Sequence, residues 1–169
     1  MIVTRTSSEA EMIVEFLRQE YASQERYGAR IDACLREEEV DAAIITAAVL
    51  TDPEADAVRR RVFARYRGYG TGESSYLTGF PEAGVTWAWW RLTPAELLRA
   101  RYIRYSYWTA LSAGTRSPVE AARRIEAGIE IYGVSNGGFL ALADRLREGG
   151  RVPPLILVTA MDEDALVVL

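Results

Sequence analysis

The tract GYGTGESSYLTGFPEAG, from Gly68 to Gly84, divides this chain in two. It is rich in Gly and Ser and has no apolar period, so it reads as a loop. A loop of that length inside a compact domain is characteristic of a lid, a binding loop or a mobile segment. The hydrophobic period differs on its two sides, and that difference sets the fold class.

Ahead of the tract the period is helical. Ser8-x-x-Glu11 is a capping box before an apolar stripe at Met12, Ile13, Phe16 and Leu17, which predicts a helix from Glu9 to about Ala22. Tyr27, Ile31, Cys34 and Leu35 predict a second helix to about Glu38, frayed at Glu37-Glu38-Glu39, where the acidic run opposes the macrodipole. Val40, Ala43, Ile44 and Ala47 carry the period into a third. Asp52-Pro53 starts a fourth, with Val58, Val62 and Tyr66 on its inner face, ending near Arg67.

Behind the tract the signals are mixed. VTWAWWRL, residues 85–92, is β-branched and aromatic and reads as a strand. Thr93-Pro94-Ala95-Glu96 opens a helix to about Ser112, and Ser117-Pro118-Val119-Glu120 opens another that ends by Gly128. Ser135 or Asn136 caps a helix reaching Glu148, closed by Gly149-Gly150. Strands follow at 155–159 and 165–169, joined by an acidic turn at Asp162-Glu163-Asp164. The predicted fold is α+β: one domain over 1–169, with a mostly helical half (1–67) packed on a small mixed sheet, the loop at 68–84, and a mixed α/β half (85–169).

Composition removes several chemistries. All 20 basic residues are Arg, and the chain has no His. It therefore cannot build a Ser-His-Asp triad, an HExxH zinc site, a Walker A loop or a Lys Schiff base. Cys34 is the single cysteine, so there is no disulfide within the chain and no Cys-rich metal cluster; it sits at a core position of its helix. No metal and no cofactor is predicted. No run approaches the roughly 18 apolar residues of a membrane helix, and the N-terminus lacks the apolar stretch of a secretory signal, so the predicted location is cytoplasmic and off the membrane. The net charge of −4 does not favour nucleic acid.

Candidate sites are anionic-ligand sites. On the predicted helix after Thr93, Arg101, Arg104 and Trp108 share one stripe, while apolar and aromatic side chains occupy every side. A buried guanidinium must be paired or must meet an anion. The stripe is thus either an internal ion pair or a pocket in which Arg101 and Arg104 hold a phosphate or carboxylate beside Trp108. Ser135, Asn136, Gly137 and Gly138 mark a helix start whose backbone N–H groups could hold an anion or simply be capped. Arg59, Arg60, Arg61, Arg65 and Arg67 form a basic helix that is either a phosphate-touching face or a solvated one.

The last 31 residues, Phe139 to Leu169, resemble the opening of a ParB/sulfiredoxin-like fold. The likeness is carried by the amphipathic FLALADRLREGG, the turn Gly150-Arg151-Val152-Pro153-Pro154-Leu155, and the strands LILVT and ALVVL. Gly150 and Pro154 carry over as turn residues. The family's Gly-x-x-Arg motif is absent, Pro153 stands where a Gln is frequent, and Thr159 where a basic residue is. The resemblance implies nucleotide or phosphate binding. It also implies that the apolar end is an inner strand, of a truncated chain or of a remnant of the fold. Two functions follow as expectations: a ParB-like nucleotide- or phosphate-binding module, or a non-enzymatic interaction domain that forms homo-oligomers. Whether the chain is an enzyme stays open, since Glu is too abundant for the sequence to select a carboxylate pair.

Overall fold

The computed structural model describes residues 1–23, 27–48, 50–67, 85–152, 154–159 and 166–168. The predicted loop at 68–84, the acidic turn at 162–164 and Pro153 lie outside the described residues. The chain is α+β and forms two compact units: a helical unit, Ile2–Trp90, and a mixed unit, Arg91–Leu169 together with Met1.

The helical unit contains β1 (Ile2–Ser7), α1 (Glu9–Ala22), α2 (Ala29–Glu37), α3 (Ala43–Thr46) and α4 (Pro53–Arg67). The predicted stripes of the first, second and fourth helices meet in one core; in the third, Ala43 and Ala47 are exposed and Ile45 is the buried residue, because that helix is only four residues long. Ile13 and Leu17 of α1, Ile31 and Leu35 of α2, Ile45 of α3, and Val62, Phe63 and Tyr66 of α4 are all buried. Each such side chain contributes about 1.5–3 kcal/mol by leaving water. Phe16 meets Phe63 edge-on at 5.2 Å between centroids. Asp52 caps α4, its Oδ1 accepting the N–H groups of Glu54 and Ala55, each at 3.1 Å.

Two details differ from the expectations. No strand is predicted before α1, yet Ile2–Ser7 is one, and it pairs with β2 (Trp87–Arg91) in a two-stranded sheet. Its β-branched Ile2, Val3, Thr4 and Thr6 favour extended backbone. The end of α2 does not fray. Val40 N–H bonds to Leu35 O and Glu39 N–H to Arg36 O, both at 3.1 Å, with Glu39 left-handed at φ 56°. That closure satisfies terminal carbonyls, and Arg side chains from α4 neutralise the acidic run.

The mixed unit contains α5 (Pro94–Leu97), β3 (Arg101–Tyr102), α6 (Ser106–Leu111), α7 (Pro118–Glu126), α8 (Gly137–Arg147), β4 (Leu157–Thr159) and β5 (Leu166–Val168). Thr93 and Glu96 complete the capping box of α5, but the helix runs for only four residues. The single helix predicted from Thr93 to Ser112 is therefore corrected to helix, strand, helix. The cause is non-local: Arg101 and Tyr102 pair in parallel with Val167 and Val168, and Tyr102 N–H also bonds to Arg116 O at 2.9 Å. These bonds outweigh the local preference for helix. β4 and β5 form the predicted antiparallel hairpin, Leu157 opposite Val168 and Thr159 opposite Leu166. The sheet order is β3-β5-β4. The apolar β5 is thus an inner strand, with Val167 buried, and its second neighbour is β3.

Helices α7 and α8 end as predicted, on left-handed Gly128 and Gly149. Gly150 N–H bonds to Arg145 O at 2.9 Å, and a Cβ on Gly150 would lie 2.6 Å from that same oxygen. The close approach of the two backbones, rather than a positive φ, requires glycine there. Pro154 is exposed in the connection to β4.

Candidate functional site

The strand conformation of Arg101 separates the residues expected to share a stripe. Successive side chains of a strand point to opposite faces. Tyr102 turns toward α6 and stacks on Trp108 at 4.7 Å between centroids, so Arg101 faces the other way. Arg101 is half-buried, and its side chain makes no hydrogen bond or ion pair among the described residues. Arg104 is exposed in the bend between β3 and α6. Neither guanidinium is buried in a helix wall, which was the physical ground for joining them to Trp108.

Trp108 is the hub of an aromatic cluster. Tyr102 covers one face, Tyr107 meets the ring edge-on at 5.0 Å, and Phe139 meets it edge-on at 6.0 Å. Phe139 is the third residue of α8, so Trp108 does stand at the start of the helix that Ser135–Gly138 opens. Burial raises the Tyr102 pKa, with a smaller push from Tyr107. Burial likewise raises that of Tyr107, helped by the carboxylate of Glu130.

The start of α8 is sparsely capped. Ser135 Oγ accepts the Gly137 N–H at 3.1 Å. Asn136 occupies the cap position without capping; its Nδ2 instead donates to Ile129 O at 2.9 Å. Only 5% of Asn136 is exposed, and its Oδ1 is buried with no hydrogen-bond partner. Such an atom costs about 1–3 kcal/mol. No acceptor takes the Gly138 N–H among the described residues, and a Cβ there would meet nothing within 4 Å. Two further buried polar atoms without partners belong to the same unit, Tyr107 Oη and Arg124 Nε. Sequence signals pick out the Gly-Gly start but not these orphans, which depend on what packs over them.

The basic helix α4 is neutralised within its own unit. Arg60 pairs with Glu9, Arg61 with Glu38 at 2.7 Å, and Arg65 with Glu37 at 2.7 Å and Glu38 at 2.8 Å. Arg67 lies over the Phe16 ring at 5.2 Å. Hydrogen bonds from Arg61 and Arg65 hold the Glu38 carboxyl below its ordinary pKa. Arg59 is the buried guanidinium of the chain's described part, 2% exposed, donating to Ile44 O at 3.0 Å and pairing with Asp56. On β1, Arg5 grips Glu11 and lies over the Trp89 ring at 5.1 Å. That grip, with Ser7 Oγ at 2.6 Å, lowers the Glu11 pKa to about 2. Cys34 is half-buried, and burial pushes its thiol pKa up, away from a reactive thiolate.

Among the described residues no group of three His, Cys, Asp or Glu could hold a metal, and no helix is long and apolar enough to cross a membrane. No family model, no curated protein and no solved structure matches the chain.

Proposed function

We propose that the mixed unit is a cytoplasmic, ParB-like module that binds a nucleotide or another phosphate-bearing ligand at the start of α8. The observation that carries this reading is the unsatisfied helix start itself. Among the described residues nothing accepts the Gly138 N–H and a Cβ on Gly138 would meet nothing within 4 Å, beside a buried Asn136 whose Oδ1 has no donor. Free N–H groups and the macrodipole favour an anion there. The Asn136 oxygen suits a donor on the same ligand, such as a sugar hydroxyl or an exocyclic amine. The α8–turn–β4–β5 arrangement supports the ParB-like assignment. Trp108 and Phe139 serve this site as its packed wall, since Tyr102 already covers one face of the indole. Arg101, whose side chain has no partner among the described residues, is the cation for a ligand long enough to reach past the sheet edge. Calorimetric titration with CTP, ATP, GTP and inorganic phosphate tests the reading: heat from at least one nucleotide is expected, and silence from all four overturns it.

A second reading, a non-enzymatic assembly domain, is favoured by a different observation. The two-stranded sheet of the helical unit leaves large apolar side chains in water: Ile2 is 67% exposed, Val3 49% and Trp90 51%. Exposed large apolar side chains on both faces of one small sheet favour an interaction surface there.

A further inference from the structure

Among the described residues β1 has an open edge without the usual protection. Natural sheets blunt an exposed edge with Pro, a bulge, a covering element or an unpaired charge. IVTRTS has no Pro and no Gly, and four of its six residues are β-branched. Among the described residues its only strand neighbour is β2. Its one charge, Arg5, is answered by Glu11 of the same unit. A sheet of two strands is marginal in water by itself, and a third strand would complete it.

The two faces of β1 can be assigned. Arg5 and Ser7 both reach Glu11, so Val3, Arg5 and Ser7 share the face toward α1, and Ile2, Thr4 and Thr6 share the outer face. We infer that the open edge of β1 pairs antiparallel with β1 of a second copy, about a twofold axis through Thr4. A strand this regular can pair with its own copy, and its sequence selects the register. Centred on Thr4, Ile2 faces Thr6 of the second copy, Val3 faces Arg5, and Thr4 faces Thr4. Every opposed pair then shares a face, and no like charges meet. Centring on Arg5 sets two guanidinium groups opposite each other, which is destabilising. Centring on Val3 carries Thr6 and Ser7 beyond the paired stretch. Because the axis is twofold, the Ile2–Thr6 and Val3–Arg5 pairs each occur twice and the Thr4–Thr4 pair once. The product is a four-stranded sheet, β2-β1-β1-β2, that continues one face from copy to copy.

This inference rests on the assembly reading, for which it names the partner, and is independent of the phosphate site. Light scattering over a concentration series tests it on the full chain. The mass is expected to rise from 18.9 kDa toward twice that value. Thr4→Lys and Thr4→Glu each set like charges across the axis, so each variant alone should stay at the monomer mass. An equimolar mixture of the two should recover the dimer. Thr4 is exposed and makes one hydrogen bond, to Trp89 O at 3.1 Å, so both variants are expected to fold, which far-UV circular dichroism checks. Excess peptide of residues 1–8 should return the wild-type mass to that of the monomer. A wild-type mass of 18.9 kDa at every concentration overturns both the inference and the assembly reading. A wild-type dimer indifferent to the two charges and to the peptide overturns the inference alone, and so does a mixture that fails to pair.

Discussion

Arg59 and Arg60 are neighbours in sequence with opposite weight in the fold, and replacing each by Ala separates them. The Arg59 side chain is 2% exposed, donates to the Ile44 carbonyl at 3.0 Å, and pairs with Asp56. Breaking a buried charge pair from one side costs about 3–5 kcal/mol. Asp56 is 25% exposed and regains water readily, which places the expected loss near the lower limit. About 3 kcal/mol is a large share of the roughly 5–15 kcal/mol that holds a domain together. Arg60, at 54% exposure, pairs with Glu9 on the surface, and its loss should cost about 0–1 kcal/mol. Urea titrations followed by circular dichroism measure both through the midpoint, with the slope required to stay constant. Arg59→Met retains volume while deleting the polar contacts of the guanidinium and should fall between the two. Adding Asp56→Ala to Arg59→Ala should cost little more, because the partner is already lost. The reasoning fails if Arg59→Ala loses under about 1 kcal/mol, or if Arg60→Ala loses as much as Arg59→Ala.

Acid should weaken the helical unit through Glu11. Its pKa is lowered in the fold, so its contribution is present above the ordinary value of 4.5 and is lost as pH falls from there to about 2; Glu11→Gln should flatten the urea midpoint across that window. Two glycines of the mixed unit should respond oppositely to Ala. Gly150→Ala drives a Cβ to 2.6 Å from Arg145 O and should cost about 1–3 kcal/mol, whereas Gly138→Ala enters open space in a helix and should be neutral or up to ~1 kcal/mol stabilising, as thermal melts will show.

Much of the helical unit was legible because its signals are local. Asp52-Pro53 starts α4 and Ser8 starts α1, where Ser8 Oγ accepts the Glu11 N–H at 3.2 Å. The second half of that box is missing, since Arg5 takes the Glu11 carboxylate. β1 carries a readable run of β-branched residues, but it is short and its partner strand lies some eighty residues away. Residues 93–112 were misread for the same kind of reason. Tyr102 becomes extended because Val168 pairs with it, and no window of twenty residues contains that information. Burial of one arginine among five on α4 depends on where the Ile44 carbonyl falls, which only packing decides. At the candidate site the Gly-Gly helix start was visible in sequence. The orphaned oxygen of Asn136 was not, because orphanhood belongs to the neighbourhood and not to the residue.

The parallel pairing of Arg101 with Val167 imposes an order on biosynthesis. Every buried residue of the helical core lies between Ile13 and Tyr66, so that unit can consolidate on a nascent chain while the mixed unit is still being translated. The three-stranded sheet cannot close until its middle strand emerges, and until then the edges of β3 and β4 remain open to wrong partners. Vectorial synthesis therefore leaves the second unit, and the ligand site we assign to it, as the step most dependent on protection from aggregation.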